Sequence, residues 1–210
     1  MPGFLEIATT PSVQAVQEQM GSAAQWRNMA GRRAFTFDRF TEHETDFIAD
    51  RDSFYIATVS ETGWPYVQHR GGPRGFLKVL DERTLAFADY TGNRQYISTG
   101  NVNANPRGCL FLMDYARRAR LKIFAEIDIV PLDADAALAE LVATPGYKGR
   151  PERIFRLHLQ AFDWNCPQHI TPHYTEEQVT EAVQPLRDRL ASLEAENAAL
   201  RARLHTGEQR

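Results

Sequence analysis

Only two cysteines occur among the 210 residues, Cys109 inside an apolar run and Cys166 beside Pro167. Two thiols cannot build a disulfide framework, so both are expected to be reduced. Long hydrophobic runs are also missing. No segment approaches the roughly 20 apolar residues of a membrane span, and the first residues lack a basic stretch followed by an unbroken apolar one. A cytoplasmic location is the resulting expectation. Neither sign of charge is in large excess, with a formal net charge of −3 and a pI of about 6.1. That balance gives no global attraction to nucleic acid, so any anion site must be local. The phosphate loop of nucleotide hydrolases, the serine-hydrolase elbow and the dinucleotide fingerprint are all absent. There is no internal repeat and no low-complexity linker.

The sequence does contain β-branched and aromatic runs separated by turn residues, which predict strands over 53–59, 66–70, 76–80, 84–88, 109–113, 121–130 and 154–162. Six to seven antiparallel strands close most simply into a barrel, because closure removes exposed edges. The expected class is therefore mainly β (α+β), with flanking helices. Residues 1–40 read as a helical arm: one segment starts at Thr10-Pro11 and carries Val13, Val16 and Met20 on a stripe, and a second surrounds Trp26 and Met29. Thr41 with Glu44 forms a capping box that opens a helix and sends Phe47 and Ile48 inward. Residues 133–142 read as an Ala/Leu helix stopped near Pro145-Gly146. The barrel is expected over 41–172 and a tail over 173–210.

Two runs carry chemistry. In the first, a turn at Glu61-Thr62-Gly63 leads through Tyr66 and Val67 into Gln68-His69-Arg70, which ends against Gly71 and Gly72. Paired glycines let a backbone approach a ligand closely. In the second, the strand ending at Asp89 and Tyr90 drops into Gly92-Asn93-Arg94-Gln95 and opens a helix. Free N–H groups and the helix dipole favour a phosphate at such a point. Asp89 could also cap that turn through backbone two residues on. Together the runs read as two strand ends serving one anionic ligand.

Their order and spacing, with Asn105-Pro106 leading into 109–113, resembles the pyridoxamine 5'-phosphate oxidase-like family of FMN-binding split barrels over roughly residues 40–170. The resemblance implies FMN as cofactor, a split β-barrel, and a homodimer whose flavin sites take residues from both chains. It implies cofactor contacts from Gln68, His69, Arg70 and Gly71 on the strand, and from Tyr90, Asn93, Arg94 and Gln95 at the turn. The run 162–172 resembles the closing segment of flavin-nucleotide-binding relatives, in which the late aromatic lies near the ring from the neighbouring subunit, and this adds Trp164, Asn165 and Gln168. The basic strand ending in Lys, the Ser-Arg-Lys turn and the C-terminal Arg-Leu signature of true pyridoxamine phosphate oxidases are not matched. FMN binding is therefore better supported than vitamin B6 chemistry.

In the tail, Val183, Leu190, Asn197 and Leu204 fall at heptad position a and Leu186, Leu193 and Leu200 at d. In a parallel pair Arg189 would face Glu194 of a second copy, and Glu196 would face Arg201. A lone buried Asn fixes register and favours two strands. Pro185 suits a first helical turn, so a zipper is expected over about 185–205, with Thr175 and Gln178 capping a separate short helix before it. An amphipathic helix packed on its own barrel is the alternative. A DNA-binding zipper would need a basic region immediately before the heptads, where Glu176, Glu177 and Glu181 stand instead.

Cys166, His169 and His173 have ligand-like spacing, but the nearest candidate for a fourth zinc ligand is the distant His158, so no metal is expected. Two functions stay open. One is an FMN-dependent oxidoreductase of a small planar substrate, in which Arg70 and Arg94 neutralise the phosphate, Asn and Gln side chains bond the pyrimidine edge, and His69 is the candidate acid or base. The other is a flavin- or haem-binding carrier without turnover. Taken singly, Arg70 and Arg94 also read as surface charges, and Tyr90 and Trp164 as core or interface aromatics.

Overall fold

The structure, a computed structural model, describes residues 3–33, 38–164 and 167–207, with side chains over 3–28, 38–164 and 167–204. It divides into two compact units. One comprises Met1–Asp114 and Arg118–Ile170, the other Tyr115–Arg117 and Thr171–Arg210.

In the first unit the strands β1 (Ser53–Val59), β2 (Pro65–Gly71), β3 (Lys78–Asp81), β4 (Thr84–Tyr90), β5 (Arg107–Asp114), β6 (Ala119–Pro131) and β7 (Pro151–Trp164) build a seven-stranded sheet in the order β2-β1-β5-β6-β7-β4-β3. Its pairings are antiparallel. All seven predicted strands are present, and β6 and β7 run further than predicted. β6 pairs with β5 only up to Glu126, and β4 pairs with β7 only from Pro151 to His158. The two long strands are thus shared between two half-sheets, with a register shift at Phe124/Ala125 marking the change. That is the architecture of a split barrel. The sheet curls on itself, since Phe54 of β1 meets Phe87 of β4 edge-on at 5.2 Å.

Phe54, Phe76, Phe87, Phe155 and Phe162 fill the interior with Ile56, Leu110, Leu112 and Ile123. The flanking helices are α1 (Phe4–Ala8), α2 (Pro11–Gln19), α3 (Ala23–Arg33), α4 (Glu42–Ala49), α5 (Ile97–Ala104) and α6 (Ala136–Val142). Leu138 and Val142 of α6 cover Ala86 and Ala88 on the reverse face of β4. This double burial explains why the 84–88 run is apolar without alternating. Thr10 caps α2, and Thr41 with Glu44 caps α4, both as expected from sequence. α1 was not anticipated. Its cap is Gly3, whose backbone N–H donates to Glu6 at 2.9 Å, and Phe4 stacks on Phe124 at 4.4 Å.

The second unit is dominated by α7 (Glu176–Gly207). Thr175 and Gln178 cap it reciprocally, at 2.9 and 3.2 Å. The expected separate short helix is corrected here: α7 continues through Pro185. Proline removes one N–H, and the Glu181 carbonyl it would have bonded belongs to an exposed stretch open to solvent. No described helix is long and apolar enough to cross a membrane.

Candidate functional site

A cavity of about 220 Å³ lies where the end of β2, the turn after β4, the start of α5 and the start of β7 meet. Its lining includes Gln68 and Arg70 from β2, Asp89 and Tyr90 from β4, Asn93, Arg94 and Gln95 from the turn, and Glu152 from β7.

Strand period decides who enters. Gln68 and Arg70 point inward, whereas His69 between them faces the other side and packs edge-on against Tyr55 at 5.6 Å. Gly71 shares the outward side, and a Cβ there would meet the His69 ring at 3.1 Å. Gly72 is required by packing, because a Cβ would fall 2.6 Å from the buried Phe76 ring.

The Arg70 side chain is largely buried in this lining. Its Nη1 bonds Asp89, which is 6% exposed, and its guanidinium lies 5.1 Å from the Phe155 ring centre and 5.7 Å from that of Phe87. Asp89 does not cap the turn as the sequence suggested; it pairs with Arg70 and, at 3.7 Å, with Arg153. Among the described residues, two buried polar atoms of this cavity's lining, Arg70 Nε and Tyr90 Oη, find no hydrogen-bond partner. Orphans of that kind are uncommon and call for a ligand atom or water.

The turn is held in a sparsely populated conformation. Arg94 and Tyr96 have φ of 62° and 54° with no glycine to relieve them, and such strain concentrates at ligand sites. Tyr96 occupies the N-cap of α5 in the left-handed region and gives no side-chain cap. The first-turn N–H groups of α5 are therefore left uncapped by any side chain beside the cavity. Asn93 is turned into the loop, accepting from the Gln95 N–H at 3.2 Å. The Tyr96 hydroxyl accepts from Arg94 Nε and donates to Glu152, both at 3.3 Å. The bond to the Tyr96 hydroxyl, with the Glu152 charge nearby, raises the Arg94 pKa. Arg153 donates to Thr99 at 3.2 Å and to Glu152 at 2.8 Å.

The closing segment lies elsewhere. Trp164 ends β7, where its indole N–H donates to Glu44 at 2.8 Å and its ring meets Phe47 at 4.7 Å. Gln168 is exposed in the turn that follows. Neither belongs to the cavity's lining, and Asn165 and Cys166 lie outside the described residues. His158, far from the other zinc candidates in sequence, bonds Asp128 at 2.8 Å. Among the described residues no cluster of three metal-type ligands occurs.

Six of the eleven expected contacts thus converge, namely Gln68, Arg70, Tyr90, Asn93, Arg94 and Gln95. Sequence reasoning missed Tyr66, Ser98, Thr99 and Glu152 in the lining. The hydroxyls at 98 and 99 follow directly on the turn and could have been read as first-turn donors. Glu152 has no local signal.

The fold and site define a split β-barrel with a donor-rich cavity at the mouth of one half. The family model for pyridoxamine 5'-phosphate oxidase matches residues 40–159, and the chain belongs to that family. Similar solved structures include HupZ of Group A Streptococcus, 18% identical with a TM-score of 0.49, covering 64% of this chain and 99% of that one. A putative pyridoxamine 5'-phosphate oxidase of Lactobacillus delbrueckii is 20% identical with a TM-score of 0.48 over 61% of this chain and 97% of that one. An FMN-binding protein of Syntrophomonas wolfei is 13% identical with a TM-score of 0.44 over 71% and 97%. No curated protein matches the chain.

Proposed function

We propose that this protein binds FMN with its phosphate in the cavity between Arg70, Arg94 and the start of α5, and acts as an oxidoreductase on a small planar substrate. The observation that carries this reading is the convergence of the uncapped α5 N-terminus with the orphaned Arg70 Nε on one cavity. The two buried groups of the lining that lack a partner, Arg70 Nε and Tyr90 Oη, can both donate, which suits a phosphate. The volume of about 220 Å³ is below the roughly 300–1,000 Å³ that encloses a drug-sized ligand. It fits the phosphate end, with the flavin ring lying outside.

FMN, when bound, supplies the redox chemistry, and the protein's part is to bind, orient and shield. Arg70 and Arg94 offset the phosphate charge. Tyr90 supplies a hydroxyl, and Gln68 and Gln95 supply amides along the ribityl path. His69, on the outer side of β2, remains the candidate proton carrier for a substrate approaching that face.

A ring left outside the cavity needs a second wall, which supports a homodimer. Tyr55, Val59 and Val67 are exposed on the outer face of β1 and β2 beside an apolar groove of about 500 Å³ lined by Ile7, Ala57, Cys109 and Phe124. Exposed apolar area of this kind marks an interaction surface. In α7, Leu186, Leu190, Leu193, Leu200 and Leu204 are exposed along the heptad seam. We assign the seam to a parallel coiled coil with a second copy.

The test is the absorption spectrum of the protein purified from cells, then anaerobic titration with NADPH and NADH. Flavin bands that bleach support an oxidoreductase, and bands that persist with both donors favour a carrier. A colourless protein that refuses added FMN overturns the reading. Arg70→Ala and Arg94→Ala should each weaken FMN binding by about tenfold or more, as loss of a charge-assisted bond implies.

A further inference from the structure

Ser98 lies in the first turn of α5 and is 1% exposed. Its hydroxyl donates to Oε1 of Gln68 across 2.7 Å. One turn further on, Asn101 Nδ2 donates to Thr58 Oγ1 at 3.0 Å. Two side-chain bonds therefore tie α5 to the β1–β2 hairpin, in surroundings where an unmade polar bond is costly.

The two ends of a glutamine amide have nearly the same shape and opposite hydrogen-bonding character. Left alone, Gln68 could turn either its carbonyl or its NH2 toward the cavity it lines. The Ser98 hydroxyl can donate or accept, but a separation of 2.7 Å is that of an O–H···O bond and shorter than the usual N–H···O one, so the oxygen faces Ser98 and the NH2 end is left to the cavity. The orientation agrees with the neighbouring groups. Arg70 Nε and the first-turn N–H groups of α5 are also donors, and a carbonyl dipole among them would repel an oxygen-rich ligand.

We propose that Ser98 is a positioning residue that locks the Gln68 amide with its N–H donors facing the cavity, so that this wall selects a ligand presenting an acceptor oxygen. The ligand identity rests on the FMN reading above, whereas the lock itself does not. Ser98 acts through Gln68.

The experiment uses the full chain labelled with 15N. The Gln68 side-chain NH2 resonances are assigned by their loss in Gln68→Ala, and their mobility is compared between the wild type and Ser98→Ala. FMN affinity is then measured by fluorescence quenching for the wild type, Ser98→Ala, Gln68→Ala, the double variant and Gln68→Glu. The expected result is an ordered NH2 group that becomes mobile in Ser98→Ala. FMN affinity should fall about three- to tenfold in Ser98→Ala, the worth of one net hydrogen bond. It should fall at least as far in Gln68→Ala, with no further loss in the double variant. Gln68→Glu, which replaces the donor end with an oxygen, should bind more weakly than Ser98→Ala.

A merely structural Ser98 would add its effect on FMN affinity to that of Gln68→Ala, which overturns the proposal. Unchanged Gln68 mobility in Ser98→Ala overturns it too. If the wild type refuses FMN, the function proposed above falls, and the mobility comparison still decides the lock.

Discussion

The indole N–H of Trp164 at the end of β7 donates to Oε1 of Glu44 in the first turn of α4, 2.8 Å away. The carboxylate's other oxygen takes the Thr41 backbone N–H at 3.0 Å and the Thr41 hydroxyl at 2.6 Å. One buried side chain thus caps a helix and pins it to the far end of the longest strand. In this chain Trp164 serves the joint between α4 and the barrel.

Acid should undo that joint. Burial alone would push the Glu44 pKa up, but the bonds from Thr41, Trp164 and His43 outweigh it and hold the pKa at about 2, below its ordinary value of 4.5. A lowered folded-state pKa gives stability that is full above about 4.5 and is lost as the pH falls toward 2. Glu44→Gln should cost about 2 kcal/mol at neutral pH, the worth of charged hydrogen bonds to a buried group. The gap between variant and wild type should close between those two pH values. Urea unfolding across pH reads both, and a gap constant with pH would show that Glu44 gains nothing from its charge.

Breaking the pair between Arg70 and Asp89 should be worse than removing it whole. Their side chains are 15% and 7% exposed, so Asp89→Ala leaves two arginines, 70 and 153, facing each other without their shared carboxylate. A loss of about 3–5 kcal/mol is expected. Replacing both partners, as in Arg70→Met with Asp89→Leu, should recover most of it while abolishing FMN binding. Chemical denaturation paired with fluorescence quenching separates the two effects. A double variant no more stable than Asp89→Ala would contradict the burial argument.

Glycine 108 tests the packing at the centre of the sheet. A Cβ there would lie 2.5 Å from Ile127 Cδ1 and 3.3 Å from the Ala57 carbonyl oxygen. Gly108→Ala should destabilise the barrel by about 1–3 kcal/mol, the usual cost of overpacking. Adding Ile127→Val, which removes the clashing methyl, should restore part of the loss.

The strands were legible because turn residues punctuate them, and the α4 cap was legible because Thr41 and Glu44 satisfy it locally. The site was only half legible. Gln68, His69 and Arg70 are neighbours in sequence, but strand period sends the middle one to the opposite side. Trp164 is part of a strand because it pairs with Leu121, a register no local window reveals. Glu152 and Arg153 reach the site through the pairing of β7 with β4. Capping of α1 escaped notice because Gly3 has no side chain to signal it.

Pro185 also misled, and its position in α7 makes a prediction. Because the helix starts at Glu176, the seam gains Val179, which is 50% exposed and continues the three-four spacing one step N-terminal to Val183. In that register Pro185 falls at c and Glu181, whose carbonyl loses its N–H partner, at f. Both positions face away from the seam, so the missing bond is left to solvent. Pro185→Ala should therefore stabilise helix and dimer together by about 1–3 kcal/mol per chain, the interior cost of proline. Leu193→Asp places a charge in the seam and should abolish association through α7. Asn197→Leu should tighten association but release the specification of two strands, so that sedimentation finds larger oligomers. An antiparallel pair in the fully overlapped register would set Asn197 against Leu186 and leave its amide without a twin. If Asn197→Leu stays strictly dimeric while Leu193→Asp is monomeric, the seam is right and the asparagine is not what counts the strands.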